Sequence, residues 1–291
     1  MIAAVTGATG YVGQFVTARL LAEGVHVRAW HRGAAPPRLF PEAEWLRGDL
    51  RDEAAMKRLV AGSDLLVHCA LEHVPGRFRG GEGEDLAAFQ EANLCGSVKL
   101  LRAAKDAGVR RAVVLSSRAA LGDRRPPGQL GDEAVLMPDT HYGAVKAGLE
   151  AVVSAYGLGE GWPVAAIRPT GVYGMVAPVE RSKWFALVGA ALAGGAMPAP
   201  RSATEVHGSD VADAVWRIAT AEPERIAGRA FNCSDMVVDH ADLVQMLAAR
   251  VGRELAVPPR GAPPAVTMAC PGLEALGMRF GGRPRLADGA I

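Results

Sequence analysis

Tyr142 and Lys146 stand four positions apart in the segment YGAVK, a spacing that puts both side chains on one face of a helix about one turn apart. A free phenol has a pKa near 10, too high for an efficient base at neutral pH, and a neighbouring ammonium favours the phenolate and lowers it. The pair is a candidate proton-transfer unit in a chain with only five lysines and four tyrosines; the plain alternative is an aromatic beside a surface lysine. Ser116 and Ser117 close the apolar run VVLSS. A hydroxyl at the carboxyl edge of a parallel sheet can donate to a substrate oxygen while the tyrosine moves the proton, and Ser117 is the better candidate. Without the Tyr/Lys pair, two serines closing a strand would read as turn residues.

A second constellation is TGATGYVG at Thr6–Gly13, between an expected strand and an expected helix. The first glycine serves the tight turn, the second lets backbone approach a pyrophosphate, and the third permits close helix-to-strand packing. Helix N-terminal amides then face the phosphates, which makes Gly7, Thr9, Gly10, Tyr11, Val12 and Gly13 the candidate dinucleotide positions. Glycine is abundant, so the placement in a first βαβ unit carries more than the spacing. The end of the second strand reads Trp30, His31, Arg32 and offers no acid for a ribose 2'-hydroxyl; a guanidinium there suits a 2'-phosphate, so NADP is favoured over NAD. The bland reading of His31 and Arg32 is a solvated strand end. Asp49, followed by Leu50 in GDLRD, either caps a turn or meets an adenine amine.

These residues need a scaffold. Short apolar runs at Ile2–Thr6, His26–Trp30, Glu44–Arg47, Asp64–Cys69, Ala112–Ser116 and Val164–Arg168 alternate with helix-like segments at Tyr11–Glu23, Glu53–Ala61, Leu86–Ala107 and Thr140–Tyr156. That alternation predicts an α/β fold, a Rossmann-type doubly wound parallel sheet. After Arg168 the pattern becomes irregular, with helices expected at Ser182–Ala193, Asp210–Thr220 and His240–Arg250. We expect residues 1–170 to form a dinucleotide-binding domain and residues 171–291 a smaller, partly interleaved α/β substrate lobe with a loop-rich tail.

Composition narrows the partners. The 291 residues are 49% apolar and 22% charged, which excludes disordered, collagen-like and coiled-coil readings. With 32 basic and 31 acidic side chains, nothing in the bulk charge points to nucleic acid or an anionic membrane. Cys69, Cys95, Cys233 and Cys270 form no C-x-x-C pair, and the N-terminus lacks a signal-peptide pattern, so a reduced, cytoplasmic setting is expected. The longest uncharged run, Trp184–Pro200, is short for a membrane span. No metal is expected: His68, Glu72 and His73 fit no zinc spacing, and Asp210, near His207 and Asp213, reads as a helix N-cap. The glycine-rich loop from Pro75 to Glu84, with Arg77 and Arg79, reads as a surface loop or a flap over substrate; Arg181 and Lys183 either meet an anionic substrate or are solvated.

TGATGYVG, GDLRD, DLLVHCA, the Asn93–Leu101 segment, VLSS, YGAVK and RPTGVYG follow one another in an order that resembles the extended short-chain dehydrogenase/reductases, the NAD-dependent epimerase/dehydratase family. The likeness covers roughly Met1–Gly174 and continues faintly through EVHGSDVADAV and AFNCSD. It implies that Tyr142 is a general acid/base, that Lys146 binds the nicotinamide ribose and lowers the tyrosine pKa, and that Ser117 orients the substrate. It further implies that Asn93 holds a proton-relay water, that Ala70 and Leu71 lie beneath the cofactor, and that Pro169–Val172 meet the nicotinamide amide. Asparagine is a poor helix-interior residue, so a local backbone distortion at Asn93 is expected.

Arg118 and Ala119 replace the acidic pair of the sugar-nucleotide dehydratases, while Leu121, Thr170 and Gly171 depart from the epimerase pattern. The resemblance therefore points to NAD(P)-dependent hydride transfer between nicotinamide C4 and a secondary alcohol or carbonyl of a small-molecule substrate, by a homodimer built on Leu86–Ala107 and Thr140–Tyr156. A nucleotide-sugar 4-epimerase with tightly bound NAD and a non-catalytic NAD(P)-sensing protein are the alternatives.

Overall fold

The six expected strands align side by side in a computed structural model, which describes residues 1–74, 77 and 80–289. They are β1 (Ile2–Thr6), β2 (His26–His31), β3 (Glu44–Arg47), β4 (Leu65–His68), β5 (Arg111–Leu115) and, after the short β6 (Gly128–Leu130), β7 (Val164–Pro169). β8 (Gly171–Tyr173) and β9 (Ser202–His207), which lie in a second sheet, come next, and β10 (Ala230–Cys233) then returns to the main sheet beside β7. Its four residues, AFNC, are too short a run to stand out in sequence.

The sheet is wholly parallel in the order β10-β7-β5-β4-β1-β2-β3. Chain order reverses between β1 and β4, so the loops leaving these two strands diverge and leave a crevice at their carboxyl ends. The expected helices cover both faces: α1 (Tyr11–Ala22), α2 (Glu53–Val60), α3 (Leu86–Gln90), α4 (Gly96–Asp106) and α5 (His141–Ser154). α6 (Phe185–Ala193) packs in a separate cluster with Tyr173 and Trp184, and α7 (Gly208–Thr220) lies against α1.

Strand alternation assigns the two layers. Ala3 and Val5 face one cluster with Val16 and Leu20 of α1 and Val211, Val215 and Ile218 of α7. Ala4 faces the other, with Met56 and Leu59 of α2, Leu100 and Leu101 of α4, and Leu149 of α5. A second sheet joins β8 to β9 in parallel and β9 to β11 (Met236–Asp239) antiparallel, covered by α6 and α8 (His240–Val251) around Tyr173, Trp184 and Leu243. β6 pairs with β12 (Val266–Met268), and the short helices α9 (Pro271–Ala275) and α10 (Gly282–Gly289) close the chain.

The expected N-cap role of Asp210 is corrected. α7 starts two residues earlier at Gly208, and its N-cap is His207, whose Nδ1 accepts from Ser209 N–H at 3.1 Å. Asp210 is fully buried inside the first turn, taking Arg285 at 2.7 Å and Gly281 N–H at 3.2 Å and so tying the C-terminal segment to α7.

Candidate active site

The glycine turn is compact because no side chain fits it. Gly7 has φ +70°, and a Cβ there would stand 2.7 Å from Ala70 N; one on Gly13 would overlap the Gly7 carbonyl. Gly10, the N-cap of α1, brings no side chain to the first-turn amides, which open at the carboxyl edge of the sheet. That cradle fits a dinucleotide pyrophosphate. Tyr11 Oη donates to Gly174 O at 2.7 Å and accepts from Lys183 N–H at 3.0 Å, while the Gln14 amide bonds both N–H and C=O of Ala177. Those two side chains hold the loop after β8 against the start of α1. Thr9 O accepts from Arg181 at 3.2 Å, and Val12 is half-buried against the α1–α7 core.

At the end of β2, His31 is buried with its ring edge-on to Trp45, and its Nδ1 has no hydrogen-bond partner among the described residues. Arg32 beside it is exposed. Asp49 accepts from Arg51 N–H at 2.8 Å, a turn cap, and Leu50 is buried where a Cβ on Gly96 would overlap its carbonyl.

The loop leaving β4 carries Ala70 and Leu71, both half-buried, next to the glycine turn. Asn93 lies in a π-turn, Glu91–Cys95, which is the distortion its presence in a helix predicts. Its side chain grips Glu72 at both backbone atoms, Oδ1 accepting from N–H at 2.7 Å and Nδ2 donating to C=O at 2.8 Å. Of the expected flap, Pro75, Gly76, Phe78 and Arg79 lie outside the described residues. Glu82, farther along it, accepts from Tyr142 N–H at 2.9 Å at the start of α5.

Tyr142 is buried near the α5 N-terminus, where Thr140 caps Gly143 N–H. Lys146 follows one turn later with its Nζ 5.9 Å from the Tyr142 ring centroid, donating to Leu115 O at 2.6 Å. Burial pushes its pKa down to about 8 despite the opposing pull of Cys69 and Glu150. Ser117 is half-buried and extended, and its Oγ accepts from Ala119 N–H at 3.2 Å, leaving the hydroxyl proton to donate. Ser116 is otherwise occupied: it is buried and bonded to Glu150, which pairs with Arg168 through hydrogen bonds of 2.6–3.0 Å. Pro169 and Thr170 are buried at the end of β7, and Val172 is half-buried in β8.

The sequence reading missed Gly143. A Cβ there would stand 3.0 Å from the Ala119 carbonyl carbon, so glycine is what lets α5 approach the Ser117 turn. The signal was available in YGAVK, a glycine inside a helix without a turn to explain it. It also missed Glu82 and Gln14, whose contacts join segments far apart in the chain.

Comparison with known proteins finds relatives and a shared fold. A ketoreductase from Stigmatella aurantiaca acting on a farnesylated dihydroquinoline oxide is 33% identical over 174 residues, covering 58% of this chain and 50% of its own. The uronate dehydrogenase of Pseudomonas putida is 32% identical over 154 residues, covering 52% and 53% respectively. The chain thus spans about half the length of these curated relatives. The dTDP-glucose 4,6-dehydratase of Streptomyces venezuelae, solved with NAD and TYD bound, shares the fold with a TM-score of 0.76 at 24% identity, covering 96% of this chain and 92% of that one. A UDP-glucose 4-epimerase from Thermotoga maritima does so at 0.79 and 19% identity, over 97% and 94%. Among the described residues no helix is long and apolar enough to cross a membrane. The sequence profile of the NAD dependent epimerase/dehydratase family matches residues 3–234, and this chain belongs to that family.

Proposed function

We propose that this protein is an NAD(P)-dependent oxidoreductase that interconverts a small-molecule carbonyl and its secondary alcohol. The observation that carries the reading is the Lys146 ammonium 5.9 Å from the Tyr142 ring, on a helix that Gly143 lets approach the turn carrying Ser117. When bound, the nicotinamide supplies or accepts hydride at C4. Ser117 Oγ donates to the substrate oxygen and fixes its direction. Tyr142 Oη passes its proton to that oxygen in reduction and takes it back in oxidation. Lys146, charged and buried, stabilises the phenolate that remains. Asn93 holds Glu72, at the end of the loop carrying Ala70 and Leu71, by both backbone atoms, and that loop together with Pro169–Val172 would hold the nicotinamide end of the dinucleotide.

Two features support a simple carbonyl over a nucleotide sugar. Arg118 follows Ser117 where a dehydratase would need acids. A Cβ on Gly171 would overlap both members of the Glu205–Lys183 ion pair, so the charge of Lys183 is already met inside the lobe. Exposed Arg32, beside a His31 nitrogen without a partner among the described residues, supports NADP as the preferred form. The expected homodimer would use the Leu86–Ala107 segment together with the outer face of α5, where Ala144 and Ala151 are exposed and small.

The reading is tested by following nicotinamide absorbance while the purified protein meets NADPH or NADH and a panel of aldehydes, ketones and sugar nucleotides. Net oxidation of NADPH by a ketone or aldehyde supports it. Sugar-nucleotide epimerisation without net redox change would replace it.

A further inference from the structure

Between the glycine turn and the Asn93 helix runs a buried chain of hydrogen-bonded side chains. Thr6, His68, Ser97 and Asn93 are all at most 2% exposed. Ala70 N–H donates to Thr6 Oγ1 at 3.2 Å, Thr6 Oγ1 lies 2.7 Å from His68 Nδ1, and His68 Nε2 lies 2.7 Å from Ser97 Oγ. Ser97 Oγ in turn lies 2.6 Å from Asn93 O.

The direction of every bond follows from the last one. A carbonyl only accepts, so the single Ser97 proton points at Asn93 O, and Ser97 must accept from His68 Nε2–H. His68 Nδ1 is then the bare nitrogen, and Thr6 donates to it while accepting from Ala70. Burial pushes the His68 pKa down to about 3, with the nearby Lys146 charge acting the same way, so the ring stays neutral. A neutral imidazole is the group that can accept at one end and donate at the other.

Both ends of the chain grip the same loop. Thr6 holds Ala70 from the glycine-turn side, and Asn93, set by its π-turn, holds both backbone atoms of Glu72. We propose that His68 is a positioning residue: as the Nε2–H tautomer it locks the distance between β1 and the Asn93 helix and so sets the height of residues 70–72 under the bound dinucleotide. The proposal rests on the dinucleotide reading above. It concerns the floor of the site, and assigns His68 no contact with substrate or reacting atoms.

The test pairs spectroscopy with substitution in the full chain. Nitrogen-15 NMR of histidine-labelled protein should show His68 with a bare Nδ1 and a protonated Nε2; the opposite tautomer overturns the relay. Because this arm needs no nucleotide, failure of the wild type to bind NAD(H) or NADP(H) would count against the proposed function and leave the relay to be judged on its own. In His68→Phe and Thr6→Val, calorimetric affinity for the dinucleotide bound by the wild type should fall about tenfold or more, the cost of leaving one buried polar group unpaired. His68→Gln, whose amide oxygen and nitrogen copy the acceptor and donor, and Thr6→Ser should restore most of it. Wild-type affinity in folded His68→Phe and Thr6→Val overturns the proposal. So does equal loss in the conservative pair, which would mark the site as structural packing only; should His68→Phe fail to fold, Thr6→Val against Thr6→Ser decides.

Discussion

The Lys146 ammonium lies 5.9 Å from the centre of the Tyr142 ring while donating to Leu115 O at 2.6 Å, so a strand carbonyl anchors the cation beside the phenol. The helix supplies the spacing, β5 supplies the anchor, and burial raises the strength of the charge felt by the ring. The chemistry proposed for the site depends on that anchored charge.

Its ionisation gives a pH signature of unusual sign. The unfolded lysine keeps its proton to about the ordinary 10.5, the folded one only to about 8. Between those values the unfolded chain binds more protons, so this group makes stability rise with pH. Activity should move the other way, falling as pH passes about 8 because the neutral amine no longer supports the phenolate. Rate–pH and melting–pH profiles check this; an activity flat from pH 7 to 10 contradicts it.

Gly143 should tolerate no side chain. In Gly143→Ala the new Cβ meets the Ala119 carbonyl, so either the Ser117 turn or the α5 N-terminus must shift, at about 1–3 kcal/mol of overpacking. The expected outcome is a lowered melting temperature together with a loss of kcat that exceeds any change in KM.

Glu150 and Arg168 form an ion pair whose side chains are 4% and 5% exposed, and Ser116 shares the carboxylate. Breaking one side leaves a buried charge uncompensated, so Arg168→Met should cost about 3–5 kcal/mol in chemical denaturation. A loss near that of an exposed pair would show that water reaches the site.

Arg32→Ala should weaken NADPH binding well beyond its effect on NADH, because the exposed guanidinium beside His31 is a cation available to a 2'-phosphate. Equal effects on both nucleotides, measured by titration, would remove the NADP preference.

Much of the site was readable before any coordinates. The strand-to-helix glycine turn, the Tyr142/Lys146 spacing and the π-turn at Asn93 each follow from local rules of backbone conformation or helix period. What stayed hidden depends on tertiary meetings. Thr6 and His68 are 62 residues apart, β10 joins β7 only after β8, α6, β9 and α7 intervene, and the true start of α7 is decided by His207 and the buried demand of Arg285 on Asp210. A physical ground for preferring Ser117, the claim of Glu150 on Ser116, spans 34 residues and lay beyond the sequence.

The central claim, that the Tyr142 hydroxyl carries the proton, is tested most directly by Tyr142→Phe, with turnover of an identified carbonyl and dinucleotide affinity measured on the same preparation. Turnover should fall by about 100-fold or more while affinity stays near wild type, as loss of a general acid requires. Turnover unchanged with the fold intact would contradict the account.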